Sequence, residues 1–278
     1  MMQDTAIQHG DAGTAELAAF VKAHPRLFVL TGAGCSTDSG IPDYRDGAGA
    51  WKRRQPMTYQ EFRRSEAARR RYWARSMRGW PAVAAARPNA AHEALASLER
   101  RGRVGMLVTQ NVDGLHQAAG SRRVIDLHGR LDRVICLECG SAVDRGDWQR
   151  TLRRANPEAD VDGEIAPDGD ADVDAAAVAD FRVPPCAVCG GVLKPDVVFF
   201  GENVPKTRVA RVRRHLDAAD AVLVVGSSLM VWSGYRFVRA AAERGLPVAA
   251  VNIGRTRADD LLDLKVALPA GAALAALG

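Results

Sequence analysis

The sequence has no apolar run near the ~18–20 residues that a helix needs to cross a bilayer, so no membrane span is expected. Its first residues, MMQDTAIQHGDAG, have no basic stretch followed by an apolar one. They also lack the Arg-rich amphipathic pattern of a mitochondrial presequence, and the expectation is a cytoplasmic protein. Lysine is scarce: almost all of the 38 basic residues are arginine, and 33 acidic residues leave a net charge of +5. The arginines are dispersed and often fall on helical stretches such as RRSEAARRRYWARSMR. An ordinary solvated surface is therefore the favoured reading, and nucleic-acid binding is the weaker one. Cysteine is also scarce, with five in 278 residues. Four of them form two pairs, Cys136/Cys139 and Cys186/Cys189, while Cys35 stands alone. Without an export signal, paired cysteines favour metal over disulfide.

What is present reads as an α/β chain. Residues 14–24 suggest a helix capped by Thr14, 27–30 a buried strand, 58–78 an Arg-rich helix, and 90–101 a helix ended by Gly102. Strands are expected at 104–110, 123–129, 220–228 and 246–254. A further helix is expected from 236, and a short strand at 265–268 before a terminal helix. Apolar runs of this length between helices indicate a parallel sheet covered on both faces. Several runs end in small polar residues, at 31–34, 109–113, 226–228 and 252–254. Ligands of open α/β sheets bind at the carboxyl ends of the strands, so one large polar ligand is expected there.

Segment 131–200 breaks the alternation and reads as a small inserted lobe. Within it, DGDADVD resembles a calcium loop, but Val173 stands where that loop needs glycine and Ala179 where it needs glutamate. A solvated loop is the better reading. CLECG and CAVCGG each place two thiols on a tight turn followed by glycine. Cys136, Cys139, Cys186 and Cys189 make a closed tetrahedral set suited to one structural Zn²⁺. Redox dithiols are the alternative, and they would need a thioredoxin-like context that is absent.

The loop GAGCSTDSGIPDYRD, residues 32–46, has three possible uses: cradling a redox dinucleotide, presenting Cys35 as a nucleophile, or holding a nucleotide that is consumed. It matches half of G-x-G-x-x-G, with Thr37 in place of the third glycine. Cys35 beside a tight turn reads as packing more readily than as a nucleophile. In TQNVDGLH, Gln110, Asn111 and Asp113 lie just past a strand, suited either to directional ligand bonds or to helix capping. His128, in DLHG, ends a strand near the same edge. Its imidazole suits general-base work.

These motifs, with KPDVVFFGE, VVGSSL and VNIG, occur in the order found in the sirtuins, the NAD-dependent protein deacylases, which the chain resembles from about residue 27 onward. GWP, AGSRR, APDGD, SGYRF, NIGRTRADD, Tyr44 and Cys35 resemble the class II branch that includes mitochondrial sirtuin four, here as a bacterial relative. The resemblance implies a Rossmann-like domain (1–46, 79–130, 197–278). It also implies a small lobe made of a helical insert (47–78) and a zinc module (131–196). It further implies that NAD is cleaved and the acyl group of an acyl-lysine passes to ADP-ribose. The products are nicotinamide, O-acyl-ADP-ribose and free lysine.

By the same resemblance Gly32, Ala33, Gly34, Ser36 and Thr37 would receive the diphosphate end. Asp43, Gln110, Asn111 and Asp113 would hold nicotinamide and ribose. Tyr44 would shield the ribose, Arg45 would order a flap, and His128 would deprotonate a ribose hydroxyl. Gly226, Ser227 and Ser228 would take phosphate and ribose, and Asn252, Ile253, Gly254 and Ala270 would line the adenosine side. An acyl-lysine peptide would lie between Val198, Phe199, Gly201, Glu202 and Asn203 on one side and Val231 and Trp232 on the other. Tyr72 and Arg75, three apart on a helix, are candidate readers of acidic acyl groups, with an incidental surface arginine as the alternative. Two rival functions remain open: mono-ADP-ribosyl transfer from the same site, and a zinc-containing nucleic-acid or scaffold module with a degenerate pocket.

Overall fold

A computed structural model describes residues 7–8, 10–44, 46–48, 50, 52, 56–159 and 178–277. Among these, the strands are β1 (Ile7–Gln8), β2 (Leu27–Thr31), β3 (Val104–Thr109), β4 (Val124–Asp126), β5 (Gly129–Cys136), β6 (Ala142–Asp144), β7 (Leu193–Val197), β8 (Ala221–Val225), β9 (Val248–Val251) and β10 (Leu264–Val266). The helices are α1 (Gly10–Ala23), α2 (Tyr59–Arg64), α3 (Glu66–Ala85), α4 (Ala90–Arg100), α5 (Leu115–Ala118), α6 (Arg145–Ala155), α7 (Lys206–Asp217), α8 (Trp232–Ala242) and α9 (Ala270–Ala275).

Seven strands form a parallel sheet in the order β1-β10-β9-β8-β2-β3-β4. Every residue of β2 is buried, because the strand lies between β3 and β8 with helices over both faces. Alternate side chains enter opposite cores. Leu27 and Val29 pack with Leu17, Leu95 and Leu274, and Phe28 and Leu30 pack with Val212, Phe237 and Val238. Burial of each such side chain contributes about 1.5–3 kcal/mol. The chain winds outward from β2 through β3 and β4, then returns to β8 on the other side of β2 and continues to β9 and β10. The loops after β2 and β8 therefore diverge from one reversal point, where open α/β sheets open a crevice.

A second, antiparallel sheet, β6-β5-β7, begins three residues after β4. It packs with α2, α3 and α6 around Phe62, Tyr72, Trp73, Trp148, Leu152 and Phe199, a third core cluster. Gly129 joins the two sheets. Its φ is +83°, and a Cβ there would lie 2.0 Å from the Asp196 carbonyl oxygen, so only glycine lets β5 pass this close to β7.

Some local expectations needed correction. The first helix begins at Gly10, so Thr14 lies inside it and does not cap it. The helix expected over 58–78 is interrupted: Ser65 is extended and accepts a hydrogen bond from Ala68 N, starting α3 afresh. That helix then runs on through Pro81 to Ala85, across the boundary expected at residue 78. The strand expected to end in His128 stops at Asp126, which leaves the histidine in the turn before β5. Most of the acidic stretch, including the calcium-like loop, lies outside the described residues.

Candidate functional site

The four strand-end loops converge on one cavity of about 760 Å³ at the carboxyl edge of the parallel sheet. Gly32, Ala33, Gly34, Ser36 and Thr37 line it from the loop after β2, and Gln110, Asn111 and Asp113 from the loop after β3. Gly226, Ser227 and Ser228 follow β8, Asn252, Ile253 and Gly254 follow β9, and Ala270 opens α9. His128, Asp43, Tyr44 and Tyr72 also line it, as do Val198, Phe199, Gly201, Glu202, Asn203, Val231 and Trp232. Arg45 lies outside the described residues, and Arg75 is not among the lining residues.

The loops are stitched together by polar side chains. Asn111 Nδ2 donates to the Gly32 carbonyl at 3.1 Å and to Ser36 Oγ at 2.9 Å. Ser36 Oγ donates to Asp113 Oδ2 at 2.8 Å, and Asp113 Oδ1 accepts from Leu115 N at the start of α5. Asp113 is thus both a site residue and a helix-start acceptor. Ser227 Oγ donates to Gln110 Oε1 at 2.6 Å, tying the β8 and β3 loops.

The glycines have a reason that spacing alone did not show. A Cβ on Gly32 would lie 2.7 Å from Ser227 Cβ, and one on Gly226 would lie 2.3 Å from Cys35 N. Glycine is required here first for contact between the two loops. Leu229, just beyond, holds φ at +56°, an uncommon conformation for a branched side chain.

His128 is fixed from both sides. Its Nδ1 lies 2.9 Å from the Gln110 carbonyl, an oxygen that can only accept, so Nδ1 carries the proton. Nε2 then accepts from Ser233 Oγ at 2.7 Å. Burial lowers the pKa of this ring to about 4, against the Gln110 hydrogen bond, with Arg208 and Arg236 lowering it further. The ring is therefore neutral near pH 7, with a basic Nε2 facing a hydroxyl. Ser233 was not a sequence candidate, since nothing in SGYRF marks its serine as meeting a histidine 105 positions away.

Cys35 is buried and does not line the cavity. Burial raises its thiol pKa, as do Asp113 and Asp38, which opposes a nucleophilic role.

Over one end of the cavity, Asp43 pairs with Lys52 and Lys52 N donates to the Tyr44 carbonyl. The Tyr44 ring meets Phe200 edge-on at 6.3 Å. The 198–203 segment is braced from beneath: Val198 N donates to the His128 carbonyl, and Glu202 Oε2 accepts from Phe199 N and from the buried Lys194. Phe199 also packs on Phe62 and Tyr72, so this segment is part core and part cavity wall. Trp232, across the cavity, is 48% exposed.

The four paired cysteines come together away from the cavity. Their sulfurs lie within 4.8 Å of one another, with Cys136–Cys189 at 3.5 Å and Cys139–Cys186 at 3.8 Å. Tetrahedral Zn–S bonds of ~2.3 Å place sulfurs about 3.8 Å apart, so the donor set fits zinc. Both knuckles repeat one turn: Gly140 N donates to Cys136 O and Gly190 N to Cys186 O, each glycine at positive φ. None of the cysteines is in a disulfide.

The fold and site together define a class: a doubly wound dinucleotide-type sheet with a separate four-thiolate metal module. The Sir2 family profile matches residues 32–233, and the chain belongs to that family. It is 64% identical over 262 residues to the NAD-dependent protein deacetylase of Xanthomonas campestris pv. campestris (strain 8004), covering 94% of this chain and 89% of the relative. A solved Sir2 homologue–NAD complex is similar, with a TM-score of 0.74 at 31% identity over 99% of this chain and 95% of that one. Sir2 bound to acetylated peptide gives a TM-score of 0.75 at 27% identity, covering 94% and 95%.

Proposed function

We propose that this chain is an NAD-dependent protein-lysine deacetylase whose reaction occupies the crevice between the β2 and β8 loops. The observation that carries the reading is the convergence of the strand-end loops, His128 and the 198–203 segment on one cavity. NAD, once bound, would supply an anomeric carbon for the acyl oxygen as nicotinamide leaves; a ribose hydroxyl would then take the acyl carbon, and one water admitted after that would complete release of the lysine amine.

In this reading Asn111, Asp113 and Asp43 orient the nicotinamide and ribose. The loops 32–37 and 226–228 hold the diphosphate and ribose, while 252–254 and Ala270 face the adenosine. His128 removes a proton from a ribose hydroxyl through Nε2, which that hydroxyl reaches by displacing Ser233. The apolar wall of Tyr44, Tyr72, Phe199 and Val231 keeps out the water that would capture an oxocarbenium-like centre. The peptide lies between 198–203 and 231–232. Tyr72 borders the acyl end, and with Arg75 off the cavity wall the reading favours acetyl over acidic acyl groups.

The four thiolates would hold a structural zinc with no open position, outside the reaction. Their free state suits a reducing compartment, which supports a cytoplasmic location. The three core clusters support the proposed division into a Rossmann-like domain and a small lobe. Class II membership rests on the motifs in SGYRF and NIGRTRADD.

The test is NAD consumption over a panel of acyl-lysine peptides. Stoichiometric release of nicotinamide with an acetyl-peptide supports the reading, and labelling of protein with ADP-ribose in place of deacetylation opposes it. Ser233→Ala removes a hydrogen bond that the bound ribose hydroxyl must displace, so kcat is expected to change little and KM for NAD to fall by up to about fivefold, the worth of one hydrogen bond of ~1 kcal/mol. A several-fold loss of kcat with KM unchanged would mean that Ser233 still holds the histidine during the reaction.

A further inference from the structure

Cys35, which the reaction does not use, sits beside two buried histidines. Its Sγ and one ring nitrogen from each of His92 and His116 lie within 4.8 Å of one another. The three residues come from the turn after β2, the first turn of α4 and α5, and none is more than 1% exposed. The two rings lie 4.7 Å apart, centroid to centroid. His116 Nε2 is engaged with Thr31 Oγ1 at 2.9 Å, but its Nδ1 has no hydrogen-bond partner among the described residues. A buried polar atom left in this way costs about 1–3 kcal/mol unless something meets it. His92 Nδ1 lies 3.0 Å from Asn89 Oδ1, whereas its Nε2 makes only a long 3.4 Å contact with Ser36 Oγ, so Nε2 is the more weakly engaged of its two nitrogens.

We propose that Cys35, His92 and His116 form a second metal site, distinct from the four-cysteine module, for a thiophilic late first-row cation, Zn²⁺ or Cu⁺. One sulfur and two imidazoles suit these ions and disfavour the oxygen-seeking Mg²⁺ and Ca²⁺. Bonds of about 2.3 Å to sulfur and 2.0–2.1 Å to nitrogen would draw the three donors inward. The ion replaces the thiol proton, which leaves to solvent, and no redox change is involved.

The site lies directly behind the crevice. Ser36, next to Cys35, bonds Asp113 and lies 3.4 Å from His92 Nε2. A bound ion that pulls on Cys35 and His92 therefore disturbs Ser36 and Asp113, and weakens nucleotide binding. This consequence rests on the deacetylase reading, whereas metal uptake does not.

The experiment starts with protein whose four-cysteine site is filled with zinc, kept reduced and free of nucleotide. Zn²⁺, with Co²⁺ as its spectroscopic stand-in, is titrated in one arm and Cu⁺ in another. Wild type is expected to take up a second equivalent, with thiolate-to-cobalt charge-transfer absorption in the Co²⁺ titration. Cys35→Val, shown to be folded by its melting curve, is expected to take up none. If that variant does not fold, Cys35→Ala and His116→Gln serve in its place. Uptake of one cation and not the other supports the site and identifies its ion. Failure of wild type to bind a second equivalent of either, or equal uptake by the folded Cys35 variant, overturns the proposal. ADP-ribose titrated into the doubly loaded wild type should bind more weakly. If uptake occurs and nucleotide affinity is unchanged, the metal site stands and its link to the crevice falls.

Discussion

His128→Ala is expected to lower acetyl-peptide turnover by about 10²–10⁴-fold, the usual worth of a positioned general base. The fold should survive, because the imidazole belongs to none of the core clusters: it lines the cavity and, among the described residues, hydrogen-bonds the Gln110 carbonyl and Ser233. Binding of NAD should change little, since the diphosphate loops do not depend on the ring. The pH dependence carries the same argument. The ring's pKa falls from 6.5 to about 4, so the neutral base is present throughout pH 5–8 and the acid limb due to this group lies near pH 4. The depressed pKa means that the unfolded chain binds this proton more tightly. The group's contribution to stability is therefore complete above about pH 6.5 and is lost as pH falls towards about 4. Rate profiles of kcat/KM with and without the histidine check both points. An acid limb at 6.5 that disappears in the variant would contradict the buried, neutral base.

Removal of zinc should have the second large effect. Structural zinc in small modules is worth about 10–16 kcal/mol, as much as the ~5–15 kcal/mol stability of a whole domain. The four thiols lie at the end of β5 and beside β7, and Cys136 and Cys186 belong to the core cluster that also holds Trp73, Trp148 and Phe199. A strong chelator, or Cys139→Ala, should release about one zinc per chain and lower the melting temperature. It should also abolish deacetylation, because β5 starts at the residue after His128 and β7 ends at the residue before the 198–203 wall. The parallel sheet has its own two cores, so far-UV ellipticity should fall only in part. A metal-free protein that keeps its melting temperature and turnover would sink the structural role.

Much of this site was legible because its residues break a pattern. Small polar residues at the ends of buried strands are out of place unless something binds there, and 31–34, 109–113, 226–228 and 252–254 do meet at one cavity. The paired cysteines were legible because thiols three apart on a glycine turn have few other uses. What escaped the sequence depended on contacts between distant segments. Ser233 and Lys52 look like ordinary surface residues until the fold sets them against His128 and Asp43. Arg75 shares a helix with Tyr72, yet spacing could not say that only the tyrosine would reach the cavity. His116 lies within TQNVDGLH, but its pairing with His92 and Cys35 exists only because α4 and α5 pack beside the β2 loop. The glycines of that loop were expected to make room for phosphate. The structure adds a nearer demand, contact with Gly226 and Ser227.

The most direct test of the account is product analysis after incubation of the purified protein with NAD and an acetyl-lysine peptide. The account predicts nicotinamide, deacetylated peptide and O-acetyl-ADP-ribose in equal amounts, with the peptide and the acetyl ester formed about 10²–10⁴-fold more slowly by His128→Ala. Deacetylation that proceeds without NAD, or NAD cleavage that yields ADP-ribosylated protein and no acetyl ester, would contradict it.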